Sequence, residues 1–178
     1  MTMTTKPSLR SVARAGTPAP ALAALLRLID DGYHVKAWHG AGLRGSIKGV
    51  DAELAAWRPA PERHNIWEIV VHAAYWKYTI RRRLCGEKRG SFPLKGSNWF
   101  RRPVTLDDQA WRADIALLED MHRTMCAAVA GLRPRELATV PPGSKRSHEH
   151  VIAGIALHDV YHAGQIQLLK RLGRDASR

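Results

Sequence analysis

Apolar residues recur at three- and four-residue steps through four long stretches of the chain, the spacing that gathers side chains on one face of an α-helix. In the first stretch, about residues 19–40, Leu22, Leu25, Leu26, Ile29 and Tyr33 form one stripe. In the second, residues 65–84, the stripe is Ile66, Ile69, Val70, Ala73, Trp76 and Ile80, with Gly86 as a stop. The third starts near Thr105, whose hydroxyl can cap the helix ahead of Asp107 and Asp108. It turns Ile115, Leu118, Met121, Met125 and Val129 inward and ends at Gly131 or before Pro134. The fourth covers residues 147–172 and closes at Gly173. No stretch alternates like a strand.

The joints differ in character. A linker with Gly40, Gly42, Gly45 and Gly49 leads to a short helical turn over residues 50–57. Residues 87–103 are rich in Gly, Pro, Lys and Arg and carry Phe92, Trp99 and Phe100. Connections of that length are usually functional or disordered. The pattern predicts an all-α fold, a four-helix bundle formed by residues 18–178 as one domain, behind a flexible tail of residues 1–17.

Composition changes this picture little. The chain has 178 residues, 45% hydrophobic and 25% charged, as in ordinary soluble globular proteins. Its net charge of +12 could attract an anion or a nucleic acid. The basic residues are dispersed, however, with short clusters at Arg81-Arg82-Arg83 and Arg101-Arg102 and no nucleic-acid-binding motif, so nucleic acid is not the expected partner. Lys6, Arg10 and Arg14 precede an apolar stretch that superficially resembles a leader. Arg27, Asp30 and Asp31 interrupt it, so it reads as the first amphipathic helix. No apolar run is long enough for a transmembrane helix. Cys85 and Cys126 form no CxxC pair and fit a reducing, cytoplasmic setting.

Nine histidines suggest metal chemistry. His34, His39, His64, His122, His148 and His150 read as exposed or capping side chains, and no HExxH motif is present. His158 and His162 are different. Four residues apart on a helix, they project from one face, in phase with Ile155, Ile166 and Leu169, and can share one cation. His72, in phase with Ile69 and Trp76, can meet them from a facing helix. Three histidines from two helices leave coordination positions open, the catalytic and not the structural pattern for zinc. Few acidic residues fall on the inner stripes, which argues against a di-iron carboxylate centre. Asp159 reads either as an exposed helix carboxylate or as a group orienting a ligand.

The segment Leu157-His158-Asp159-Val160-Tyr161-His162-Ala163-Gly164-Gln165-Ile166 resembles the last-helix signature of the DinB (damage-inducible) superfamily, which includes the YfiT-like metal-dependent hydrolases. Asn65-Ile66-Trp67-Glu68-Ile69-Val70-Val71-His72 is similar to the family's helix leading to its first metal histidine. The resemblance implies an up-down-down-up four-helix bundle, a homodimer, and one divalent metal ion, zinc or nickel, on His72, His158 and His162. It also implies a metal-dependent hydrolase or thiol S-transferase acting on a small-molecule substrate, with a small-molecule thiol as possible cosubstrate. Trp76, Trp99, Tyr161 and Gln165, with Tyr75, are candidates to wall the substrate pocket. Lys88, Arg89, Lys95, Arg101 and Arg102 form a basic loop that could receive carboxylates. The alternatives are a non-catalytic stress-response or metal-binding bundle and, further off, a nucleic-acid binder. Because imidazole ligates only when neutral, metal affinity should fall as pH drops through about 6.

Overall fold

The computed structural model describes residues 19–34, 37–102 and 107–177. The expected flexible tail and the expected Thr105 cap lie outside them. Six α-helices and one 3-10 turn form among the described residues: α1 Pro20–Tyr33, α2 Leu43–Ser46, α3 Ala52–Ala56, α4 Ile66–Leu84, α5 Asp108–Ala130 and α6 His148–Ala176, with the 3-10 turn at Pro134–Ala138. The four long ones, α1, α4, α5 and α6, form the bundle. α4 packs most extensively on α5 and α1 on α6, while α4 against α6 and α1 against α5 complete the ring. The all-α, DinB-like bundle expected from the sequence is the fold observed. Among the described residues no helix is long and apolar enough to cross a membrane.

Local chemistry sets the ends. The Asn65 side chain accepts from the Glu68 amide at 2.8 Å and fixes the start of α4. The Ser147 hydroxyl does the same for α6 through the His150 amide at 3.3 Å. Three boundaries depart from expectation. α1 stops at Tyr33, and the chain then folds back so tightly that a Cβ at Gly42 would lie 2.4 Å from the His34 carbonyl oxygen. The cap of α5 is Asp107, accepting from the Gln109 amide at 2.8 Å, so the helix begins later than predicted. α6 does not close at Gly173. It continues to Ala176, and Gly173 instead admits α3, since a Cβ there would lie 2.6 Å from Leu54 Cδ1.

The core divides into two apolar clusters. One contains Ile69, Ala73 and Ala74 of α4, Leu118 of α5, and Ile166 and Leu169 of α6. The other contains Ile29 of α1, Ile80 of α4, Met125 and Val129 of α5, and Ile152 and Ile155 of α6. Between them along the helices come Lys77, His122 and Asp159, all buried. The Lys77 ammonium and the Asp159 carboxylate form an ion pair with both side chains almost fully excluded from solvent. Lys77 also lies 4.9 Å from the centroid of the Tyr33 ring, and Tyr33 stacks on His122 at 3.5 Å. Asp159 is therefore neither an exposed carboxylate nor a partner of a histidine ring. His122 and His148, expected at the surface or as caps, are buried as well.

Candidate metal centre

His72 projects from α4, and His158 and His162 project from α6, into one point between the two helices. The Nε2 of His158 lies 3.1 Å from the Nε2 of His72 and 3.1 Å from the Nε2 of His162. Nitrogens bound to one ion at about 2.0–2.1 Å in a tetrahedron stand about 3.3–3.4 Å apart, so the three rings are already close to ligand geometry. No other group of three or more His, Cys, Asp or Glu side chains among the described residues is arranged for a metal.

The outer nitrogens determine what the inner ones present. His72 Nδ1 is 2.8 Å from the Asn98 carbonyl oxygen, which can only accept, so Nδ1 carries the hydrogen and Nε2 a lone pair. His162 Nδ1 is 2.6 Å from Gln165 Oε1, and the Gln165 amide nitrogen donates to the Tyr161 hydroxyl at 3.1 Å. In that arrangement His162 Nε2 is also a bare lone pair. His158 could donate from Nε2 to one of these neighbours but not well to both, and its buried Nδ1 has no partner. A cation at the meeting point satisfies all three nitrogens at once. The donor set therefore fits a divalent metal.

Electrostatics keeps the rings in ligating form. Burial, aided by the neighbouring imidazoles, pushes the His158 pKa down to about 3. Burial likewise lowers His72 to about 4, against the opposing pull of the Asn98 carbonyl. His162 is lowered too, chiefly by burial, although Gln165 favours its charged form. All three are neutral at pH 7.

The surrounding residues support the rings. Trp99 stacks on His72 at 3.8 Å and, on its other face, on His64 at 3.6 Å. His64 Nδ1 is held by Glu68 Oε2 at 2.9 Å. Burial raises the Glu68 pKa, but hydrogen bonds from Arg58 and His64 outweigh it and hold the carboxyl below its usual range. Trp76 donates from Nε1 to Asn98 Oδ1 at 3.0 Å and packs edge-on against His72. Asn98 thus grips α4 twice, through its carbonyl and its side chain. It does so at φ 64°, a left-handed conformation that Asn tolerates better than most residues.

The structure brings His72, His158, His162, Trp76, Trp99 and Gln165 together, while Tyr161 is exposed and reaches the cluster through Gln165. Tyr75 packs with Phe92 and Phe100 away from the three rings and lines a cleft next to Trp76. Arg102, expected in an anion-receiving loop, is committed to the Asp114 carboxylate at 2.6 Å. The sequence reading missed Asn98 and His64. Asn98 carried a faint signal, as an Asn two residues after Gly96 in a long loop, where a left-handed turn is plausible.

An all-α bundle with three convergent, neutral imidazoles on two of its helices defines the class. A family model of the DinB superfamily matches residues 37–166, which include all three histidines, and the chain belongs to that superfamily. Membership and cluster together are compatible with a metal-binding protein. No curated protein and no solved structure matches the chain.

Proposed function

We propose that the protein is a metal-dependent hydrolase or thiol S-transferase with one divalent ion, zinc or nickel, at His72, His158 and His162. The observation that carries this reading is the convergence of three Nε2 atoms, two of which, on His72 and His162, are left as bare lone pairs by the bonds at their outer nitrogens. Such an ion, when bound, lowers the pKa of a water or thiol in an open position and polarises an electrophile. The chain's own part is to hold and orient. Asn98 and Gln165 fix the ring tautomers, and Trp99 shields one face of His72. Neither cysteine competes as nucleophile: Cys85 ends α4, and burial pushes the Cys126 thiol up. Any reacting sulfur would come from a small-molecule thiol.

Elemental analysis and turnover test this together. Purified protein should carry close to one equivalent of metal, and His158→Ala should carry none. A thiol and an electrophile should react in the presence of the loaded protein and not after chelation. Full turnover by metal-free protein would refute the reading. The depressed histidine pKa values also sharpen the pH expectation: protons should displace the metal at a lower pH than ordinary imidazoles, with pKa about 6.5, would give.

Pairing of two copies is part of the same proposal. Leu157, Tyr161, Leu168 and Leu172 repeat at helical spacing on α6 and are all exposed, an apolar stripe suited to a second copy. Sedimentation of the wild type as a dimer and of Leu168→Glu as a monomer would support it. A monomeric wild type would remove it.

A further inference from the structure

A cleft of about 220 Å³ opens between α4 and the first turns of α6, with His158 as part of its lining. Trp76, Ile80 and Ile155 give it apolar walls, and Arg83 and Arg146 stand at its edge. No acidic residue lines it. A second cleft of about 550 Å³ shares Trp76 and Arg83 with the first and adds Arg82, Arg89 and Lys95, again with no acidic residue. That lining is common to the two clefts, and the smaller one reaches the histidine cluster at His158.

Elsewhere about half of the described arginines are neutralised. Arg44, Arg58, Arg81, Arg102, Arg123 and Arg133 each pair with a carboxylate. Among the described residues no carboxylate pairs with Arg83, on α4, or with Arg146, in the bend before α6, although the two line the same cleft. Arg146 also precedes the N-terminus of α6, where the helix dipole adds positive potential. Guanidinium groups so placed match an oxyanion in a bidentate manner, and the apolar walls match an organic body.

We infer that the molecule acted on at this centre carries a carboxylate or phosphate that docks between Arg83 and Arg146, with its apolar part along Trp76 and its reacting end toward His158. The inference rests on the proposed reading of the histidine cluster as the reacting centre. It goes beyond that reading by naming the charge of the substrate and the residues that select it.

The test is calorimetric titration of the zinc-loaded, full-length protein with benzoate, phenyl phosphate and benzyl alcohol. The anions should bind at least about tenfold more tightly than the neutral alcohol, since a hydrogen bond to a charged group contributes that order of affinity. Arg83→Ala and Arg146→Ala should each weaken the anions about tenfold, while Arg171→Ala, a basic residue outside both clefts, should not. The tighter of benzoate and phenyl phosphate identifies the group. Equal binding of the alcohol, or equal losses in Arg83→Ala and Arg171→Ala, would overturn the inference. The same titration on His158→Ala separates the two ideas. Anion binding that survives there while zinc is lost supports the anion subsite on its own. Anion binding that vanishes with the zinc and is indifferent to Arg83→Ala assigns the anion to the metal and overturns the subsite.

Discussion

Two buried polar groups occupy the same pair of helices, α4 and α6, and they are built on opposite principles. In one, His72, His158 and His162 aim their Nε2 atoms at a common point beside the cleft that His158 lines. In the other, Lys77 and Asp159 neutralise each other within a layer enclosed by apolar clusters on both sides. His158 and Asp159 are consecutive residues, but a helical step of about 100° sends them to different environments. The difference teaches how to tell a site from a staple. A buried charge with its counter-charge in place is neutralised even though Asp159 Oδ1 has no hydrogen-bond partner, whereas convergent lone pairs need something the chain does not supply.

The comparison breaks most visibly at the staple. Lys77→Met leaves Asp159 as an uncompensated carboxylate in a fully buried position and should cost about 3–5 kcal/mol in urea unfolding. Lys77→Met combined with Asp159→Leu should recover most of that loss, because apolar replacement of a whole buried pair is often close to neutral. If the single variant is as stable as wild type, the pair is not the closed unit described here.

At the site the cost should appear only through the ligand. Metal at about a hundred times its dissociation constant should stabilise the wild type by about 2.7 kcal/mol. His158→Ala should lose that gain. Thermal unfolding with and without added zinc checks it, and a gain retained by His158→Ala would place the metal elsewhere.

Much of this contrast was legible in the sequence, and the missing part has a physical cause. Helical periodicity placed α4 and α6 to within a few residues, and the four-residue step from His158 to His162 put both rings on one face. The staple was also written in the periodicity. Ala73, Lys77 and Ile80 share a stripe, as do Ile155, Asp159, His162 and Ile166, so each inward face carries one charge of opposite sign. Residue type argued against burial at Lys77, Asp159 and His122, and tertiary pairing overrode it. The role of Asn98 was hidden for another reason. A loop carbonyl held by backbone conformation leaves no periodic trace.

His122 sharpens the comparison at acid pH. Burial, then repulsion from Lys77 and His34, lowers its pKa from 6.5 to about 3. The unfolded chain therefore takes up a proton first as pH falls below 6.5, so stability declines steadily toward pH 3. The slope contributed by one such group is about 1.4 kcal/mol per pH unit. His72 and His158 act in the same sense in metal-free protein. His122→Phe, which keeps an aromatic ring against Tyr33, should make the decline between pH 6 and pH 4 shallower by about that amount. An unchanged slope would mean that His122 takes up its proton in the folded state.

The smallest effect falls on the loop that holds His72. Asn98→Gly keeps the left-handed turn and the carbonyl bond to His72 Nδ1, losing the side-chain bond from Trp76. Asn98→Ala loses the same bond and in addition strains the turn, which costs about 1 kcal/mol or more. If the carbonyl orients the ring, Ala should weaken metal binding about tenfold and Gly clearly less, since groups behind a ligand typically contribute at that level. Competition with a chelator of known affinity measures both. Equal losses in the two variants would assign the effect to the Trp76 contact, and His72 would then owe its orientation to stacking on Trp99.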